Sequence, residues 1–240
     1  MRRRDGLDIA AALAGSALIA AALVLIWVAR VEFGGTQVYV SELGGTGAST
    51  ARQFETALLL VVAGGALVAF AGREVRSRVR LLAFWAPSVS IWIACGFFLI
   101  ASQVTCRAYC PIPTLSPFDY QDFTHITCAV LAFAAGCLAM LQCAFAVGHR
   151  VLARFSLAIA IAVAVVAGLG GILSLARFDT ELGGYAEFTA TTLAILWVVV
   201  YGVSMAASTL RRGPGQGGQR ERGESDDIRS SSRLASPTSM

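Results

Sequence analysis

Asp122 and His125 stand three residues apart in the segment Asp122-Phe-Thr-His125, a spacing that brings a carboxylate and an imidazole to one face of a helix. A neutral imidazole oriented by a carboxylate is a general base at neutral pH, which makes the pair the catalytic candidates of the chain. The plainer use of the same residues is an aspartate capping a helix whose first turn holds a histidine. Ser41, Glu42, His125 and Glu187 form a second set, candidates for binding a ligand, because all four flank apolar stretches at the same predicted end. Cys106 and Cys110 bracket Cys-Arg-Ala-Tyr-Cys and are a disulfide candidate, since the connection they open is predicted to face a compartment where disulfides persist. No metal and no cofactor is expected. The chain has two histidines, His125 and His149, predicted at opposite ends, and it carries no serine elbow, paired histidine ligands or phosphate loop.

The elements that must position these groups are apolar. Uncharged runs extend over Ile9–Ala29, Thr56–Gly72, Leu81–Cys106, Ile126–Gly148, Phe155–Ala176 and Phe188–Leu210. A hydrocarbon core about 30 Å thick needs roughly 20 helical residues to cross. The runs do not alternate polar with apolar residues as barrel strands do, and in lipid only a helix satisfies such a backbone within the segment. The fold class is therefore all-α: a polytopic membrane bundle of six transmembrane helices, with spans at about 9–29, 54–72, 81–104, 125–148, 155–176 and 187–209. The first run is longer than a signal-peptide core and lacks a small-x-small cleavage site, so it is expected to remain as a helix. Within the spans, Pro87 is expected to kink the third helix, and Gln142 to hydrogen-bond a neighbouring helix. Ala160, Ala164 and Gly168, with Gly64-Gly65, are expected to let helices pack closely. The cysteines at 95, 128, 137 and 143 are expected to behave as small apolar side chains.

Charge orients the bundle. All nineteen basic residues are arginines, and with the N-terminus inside, fifteen fall on that side and four, Arg30, Arg52, Arg107 and Arg177, on the other. By the positive-inside rule the N-terminus (1–8) and C-terminus are cytoplasmic, the plasma membrane of a bacterium being the expected location. The net charge of +4 is thus a topology signal, and the dispersed arginines do not make a nucleic-acid footprint. Membrane lipids are the expected partners. Residues 211–240 turn abruptly to Gly, Ser, Arg, Glu and Pro and are expected to be a disordered cytoplasmic tail, with Ser230–Ser232 and Ser236 open to phosphorylation. Eight acidic residues, Ser41 and His125 are left on the outer side, a setting suited to a cation or an amine-bearing ligand.

Short motifs at that outer side carry a resemblance. Val40-Ser41-Glu42-Leu43-Gly44-Gly45, then Gln53-Phe54-Glu55, a proline-containing second outer connection, His125 opening the fourth helix, and Gly183-Gly184-Tyr185-Ala186-Glu187 opening the sixth occur in that order. Over about residues 8–209 the chain resembles the six-span bacterial and archaeal membrane proteins of domain of unknown function 998. It is more weakly similar to the eukaryotic Frag1/DRAM/Sfk1 group, which is linked with lipid organisation. Phe188 stands where a basic residue often follows the acidic one in the former family. The resemblance implies a fold and a topology, and no reaction. Three classes of function stay open: a non-enzymatic protein that binds, senses or moves a lipid or small molecule at the outer face; a lipid-active hydrolase or transferase using His125 with Asp122; and a structural subunit acting through partners.

Overall fold

A computed structural model describes residues 3–34, 38–108, 119–176 and 180–211. Among them the helices are α1 (Arg3–Glu32), α2 (Ala51–Ala71), α3 (Pro87–Gln103), α4 (Tyr120–Ala144), α5 (Arg150–Ala176) and α6 (Thr180–Arg211), with a 3₁₀ turn at Val40–Gly44. No strand occurs among the described residues beyond an isolated bridge between Ser77 and Ala146. Five helices are long and apolar enough to cross a membrane, and α3 is a shorter apolar helix of 17 residues. Arg211 ends α6, and the rest of the expected tail lies outside the described residues.

The third helix departs from expectation. It begins at Pro87 instead of Leu81, with Ala86 extended as its N-cap, so the proline starts the helix and does not kink it. The first helical position is where proline's missing N–H leaves no bond unmade and its fixed φ is already helical. Residues 81–85 before it form a turn and a bend. Gln142 satisfies two of their carbonyls: its amide nitrogen donates to those of Leu82 and Trp85, both at 3.1 Å. Its amide oxygen accepts from the Ser90 hydroxyl at 2.8 Å, and Ser90 in turn accepts from the Trp85 indole at 2.8 Å. Gln142 is buried and both ends of its amide are used, the interhelical role its sequence position implied.

Each helix packs against its sequence neighbours, and α6 returns against α1, so the six close into a ring. Trp27 of α1 meets Phe188 of α6 with ring centroids 5.9 Å apart, while Ser16 donates to the Val199 carbonyl at 3.3 Å. The two helices are therefore antiparallel, and both described chain ends lie at one end of the ring, here called the terminal end. There the α2–α3 and α4–α5 connections pair through Arg78 N to Phe145 O (2.9 Å) and Val147 N to Arg76 O (3.1 Å). Arg73 forks onto Asp8 at 2.7 and 3.0 Å, tying the same end to α1. At the opposite, far end, Arg30 lies 4.1 Å over Phe188, with Tyr185 at 5.1 Å and Trp27 at 5.2 Å. Phe188 thus serves as the platform for a cation from another helix.

Small residues set the helix spacing, though not all those expected to. A Cβ on Gly15 would meet the Gly64 carbonyl oxygen at 2.6 Å, and one on Gly64 would meet the Gly15 oxygen at the same distance. α1 and α2 therefore cross in direct backbone contact. On α5 the expected stripe is misplaced: Ala164 and Gly168 are exposed, and from Ala164 to Leu169 only Val166 is even half-buried. The close approach of α5 is at Gly170, where a Cβ would stand 2.6 Å from that of Ala186 on α6. Deeper in the ring Trp197 stacks on Tyr201 at 5.4 Å and donates to Ser156 of α5 at 2.9 Å. The Tyr201 hydroxyl donates to the Gly72 carbonyl at 3.3 Å, joining α6 to the end of α2.

Candidate functional site

The ring encloses a cavity of about 120 Å³, lined by α1, α2, α3, α4, α6 and the 3₁₀ turn. Its walls are almost wholly apolar, including Phe54, Phe98, Phe133, Met140 and Trp197, and its polar lining groups are few: Ser41, His125, Glu187 and Thr191. On α6 the lining runs from Glu187 to Val198, twelve residues spanning about 16 Å of helix. That is about half of a hydrocarbon core roughly 30 Å thick, the depth of one leaflet. The volume spread over that length makes a slot too thin for two chains abreast. Ser41, His125 and Glu187 sit at its far end, and Met140, Trp197 and Gly65 line it toward the middle of the bundle.

Glu187 reaches the turn from α6, the ring neighbour of α1. Its carboxylate accepts from the Val40 amide at 3.2 Å and also faces the Ser41 amide, so it holds the start of the 3₁₀ turn over the cavity. Three more contacts secure the turn. Thr50 donates to the Leu43 carbonyl at 2.9 Å, Glu42 accepts from the Tyr39 amide at 3.3 Å, and the Thr46 amide donates to the Cys106 carbonyl at 2.8 Å. Cys106 is disulfide-bonded, and its sulfur rests 3.7 Å from the Ser41 carbonyl oxygen. Cys110, its expected partner, lies outside the described residues.

Glu42 does not line the cavity; it is half-buried in the turn, and burial pushes its carboxyl above the ordinary value of 4.5, against the pull of the Tyr39 amide. A carboxyl raised on folding binds its proton more tightly in the folded chain, so the contribution of Glu42 to stability is full in acid and is lost as pH rises from about 4.5 through its raised value. Glu42→Gln keeps the acceptor for Tyr39 and removes this titration. Thermal unfolding in detergent at pH 5 and pH 8 should therefore differ less in Glu42→Gln than in the wild type; an unchanged difference would assign the dependence to another group.

Asp122 and His125 are not joined as a dyad. The Asp122 carboxylate, 1 % exposed, accepts from the Arg107 backbone N–H at 2.8 Å and from its guanidinium Nε at 2.7 Å. Asp119, not Asp122, caps α4, accepting from the Gln121 amide at 2.8 Å. The helix starts a turn earlier than its apolar pattern because Tyr120 and Gln121 extend it into polar surroundings. His125 Nδ1 lies 2.7 Å from the Val104 carbonyl oxygen and 3.0 Å from that of Ala101, at the end of α3. Carbonyls only accept, so Nδ1 carries the proton, and in the neutral ring Nε2 is an acceptor. His125 therefore ties α4 to orphan carbonyls of α3 as well as lining the cavity.

Of the binding candidates the structure brings Ser41, His125 and Glu187 to one cavity, with Glu42 behind them in the same turn. Thr191 was missed. It lies one helical turn beyond Glu187, and that four-residue spacing is the signal that puts it on the same face. Among the described residues no group of three or more His, Cys, Asp or Glu is placed to hold a metal ion.

Comparison with known families matches the chain to one described as "Protein of unknown function (DUF998)" over residues 13–204. The chain belongs to this family. No curated protein and no protein of solved structure matches it. Within the DUF998 match fall α2 to α5, the 3₁₀ turn, all the cavity-lining residues and most of α1 and α6. With its helices of membrane-crossing length, this family member is an integral membrane protein.

Proposed function

We propose that the chain is a non-enzymatic membrane protein that holds, senses or moves one lipid or small amphiphile, with the tail in the slot and the head at the far end. The observation that carries this reading is the cavity itself: a leaflet-deep apolar slot whose few polar groups gather at one end. Such a shape matches an amphiphile more closely than a polar metabolite, which would find almost no partners along the walls. The arginine asymmetry supports the far end as the outer face of a bacterial plasma membrane, with both termini cytoplasmic. Alkaline phosphatase fused after Met240 should accordingly be inactive, and an active fusion would reverse the orientation. A hydrolase using His125 as base has less support, because its orienting carboxylate, Asp122, is engaged by Arg107.

The test uses Gly136, a lining residue on which a Cβ would meet nothing within 4 Å. Gly136→Leu extends an apolar side chain from α4 at a position whose Cβ has free space. Native mass spectrometry of the detergent-purified protein is expected to show a lipid or amphiphile on the wild type and about tenfold less on Gly136→Leu at unchanged thermal stability. Equal loading of the two, or no adduct on either, would overturn the reading.

A further inference from the structure

Thr191 is the one buried side-chain polar atom left without a hydrogen bond among the described residues. A helical threonine ordinarily donates back to the carbonyl one turn earlier. Thr56, Thr189 and Thr209 do so, to Arg52, Tyr185 and Met205 at 2.8, 2.8 and 3.0 Å. Thr191 does not, although it is 7 % exposed and lines the cavity one turn from Glu187. An orphaned hydroxyl in a dry apolar setting is costly to keep, and here it borders the space into which a ligand would come.

The neighbouring groups define what it could meet. His125 presents Nε2 as an acceptor in the neutral ring, because Nδ1 is committed to the Ala101 and Val104 carbonyls. Glu187 brings a carboxylate. Among the described residues no arginine lines the cavity: Arg107 is held by Asp122 and Asp119, and Arg30 is packed over Phe188 and its neighbouring rings. Among the described residues the polar end is thus rich in acceptors, holds a carboxyl group and has no cation. A phosphate or carboxylate head would meet acceptors and a carboxyl group with none of these described residues as counter-ion, whereas a head carrying O–H or N–H donors would find partners.

Resting on the amphiphile reading above, we infer that the slot selects a single-chain amphiphile with a hydrogen-bond-donating alcohol or amine head, and that Thr191 is one of the residues contacting that head. Thr191 Oγ1 accepts from or donates to the head, and Glu187 and His125 Nε2 take its remaining donors. The tail descends toward Trp197, ten residues or about 15 Å below Glu187 on α6.

The experiment exploits that depth. The full chain in detergent is titrated with 12-bromododecan-1-ol, 12-bromododecylamine and 12-bromododecyl phosphate, and quenching of tryptophan fluorescence by the tail bromine is followed. The share of quenching lost in Trp197→Phe isolates the slot from the other three tryptophans. The alcohol and the amine are expected to quench saturably, with the phosphate about tenfold weaker. Thr191→Val should weaken the alcohol about five- to tenfold, and Thr191→Ser should restore it. If the phosphate binds as tightly as the alcohol, or Thr191→Val changes nothing while saturable quenching persists, the head assignment fails and the amphiphile reading stands. If none of the three quenches Trp197 saturably, both fail.

Discussion

Arg107→Ala is expected to destabilise the protein more than Asp122→Ala, although the two residues form one ion pair. The asymmetry follows from their surroundings. The Asp122 carboxylate is 1 % exposed, while the Arg107 side chain is 39 % exposed and also lies 3.3 Å from Asp119. Removing the arginine side chain leaves a buried carboxylate with only the backbone amide at position 107, a loss of about 3 kcal/mol for a broken pair of this kind, discounted for the partly wet partner. Removing the aspartate leaves a guanidinium that water and Asp119 can satisfy, at about 1 kcal/mol. Thermal unfolding of the two variants in detergent measures the order directly; the reverse order would mean that the carboxylate is not the buried member. Because the pair fixes the connection between α3 and α4, Arg107→Ala should also reduce ligand retention at the cavity's far end.

Gly64→Leu is expected to give little or no folded protein, and Gly64→Ala to cost about 2 kcal/mol. A single Cβ at position 64 would meet the Gly15 carbonyl oxygen and Ile19 Cγ1, each at 2.6 Å, and the first of these is backbone that cannot swing aside. The two helices would have to part, losing contacts along a crossing on which the ring's closure depends. Gly168→Ala is the control. A Cβ there meets nothing within 4 Å, so its effect should be near zero or slightly favourable through helix propensity. Recovery of monodisperse protein on size exclusion, followed by thermal unfolding, compares the three; equal behaviour of Gly64→Ala and Gly168→Ala would refute the direct backbone crossing.

The contrast between those glycines shows how far the sequence could be read. Apolar length revealed the helices, since a segment in lipid has one way to satisfy its backbone, and Gln142 announced an interhelical bond because an amide at that depth needs a partner. Small residues carry no such direction. Gly64 and Gly168 look alike in the chain, and only the ring decides that one faces a helix and the other points outward. Pro87 was misread as a kink for a related reason: an apolar run continues smoothly through a turn into a helix, so the true start at position 87 left no mark in hydropathy. The grouping of Ser41, His125 and Glu187 was legible from alternation of the crossings. The engagement of Asp122 by Arg107 was not, because a helix-capping aspartate and an ion-paired one have the same local sequence.

Glu187 and the amide of Val40 are separated by 147 residues, yet that bond sets the turn over the cavity. The consequence is temporal. During synthesis the first connection emerges long before the sixth helix exists, and until α6 inserts there is neither a carboxylate to fix the turn nor a wall bearing Thr191 and Trp197. Helices α1 to α5 can pair locally as they are made, but the pocket is completed only by the last of them. A nascent or truncated chain that lacks α6 therefore lacks one wall of the slot and the carboxylate that holds the turn over it.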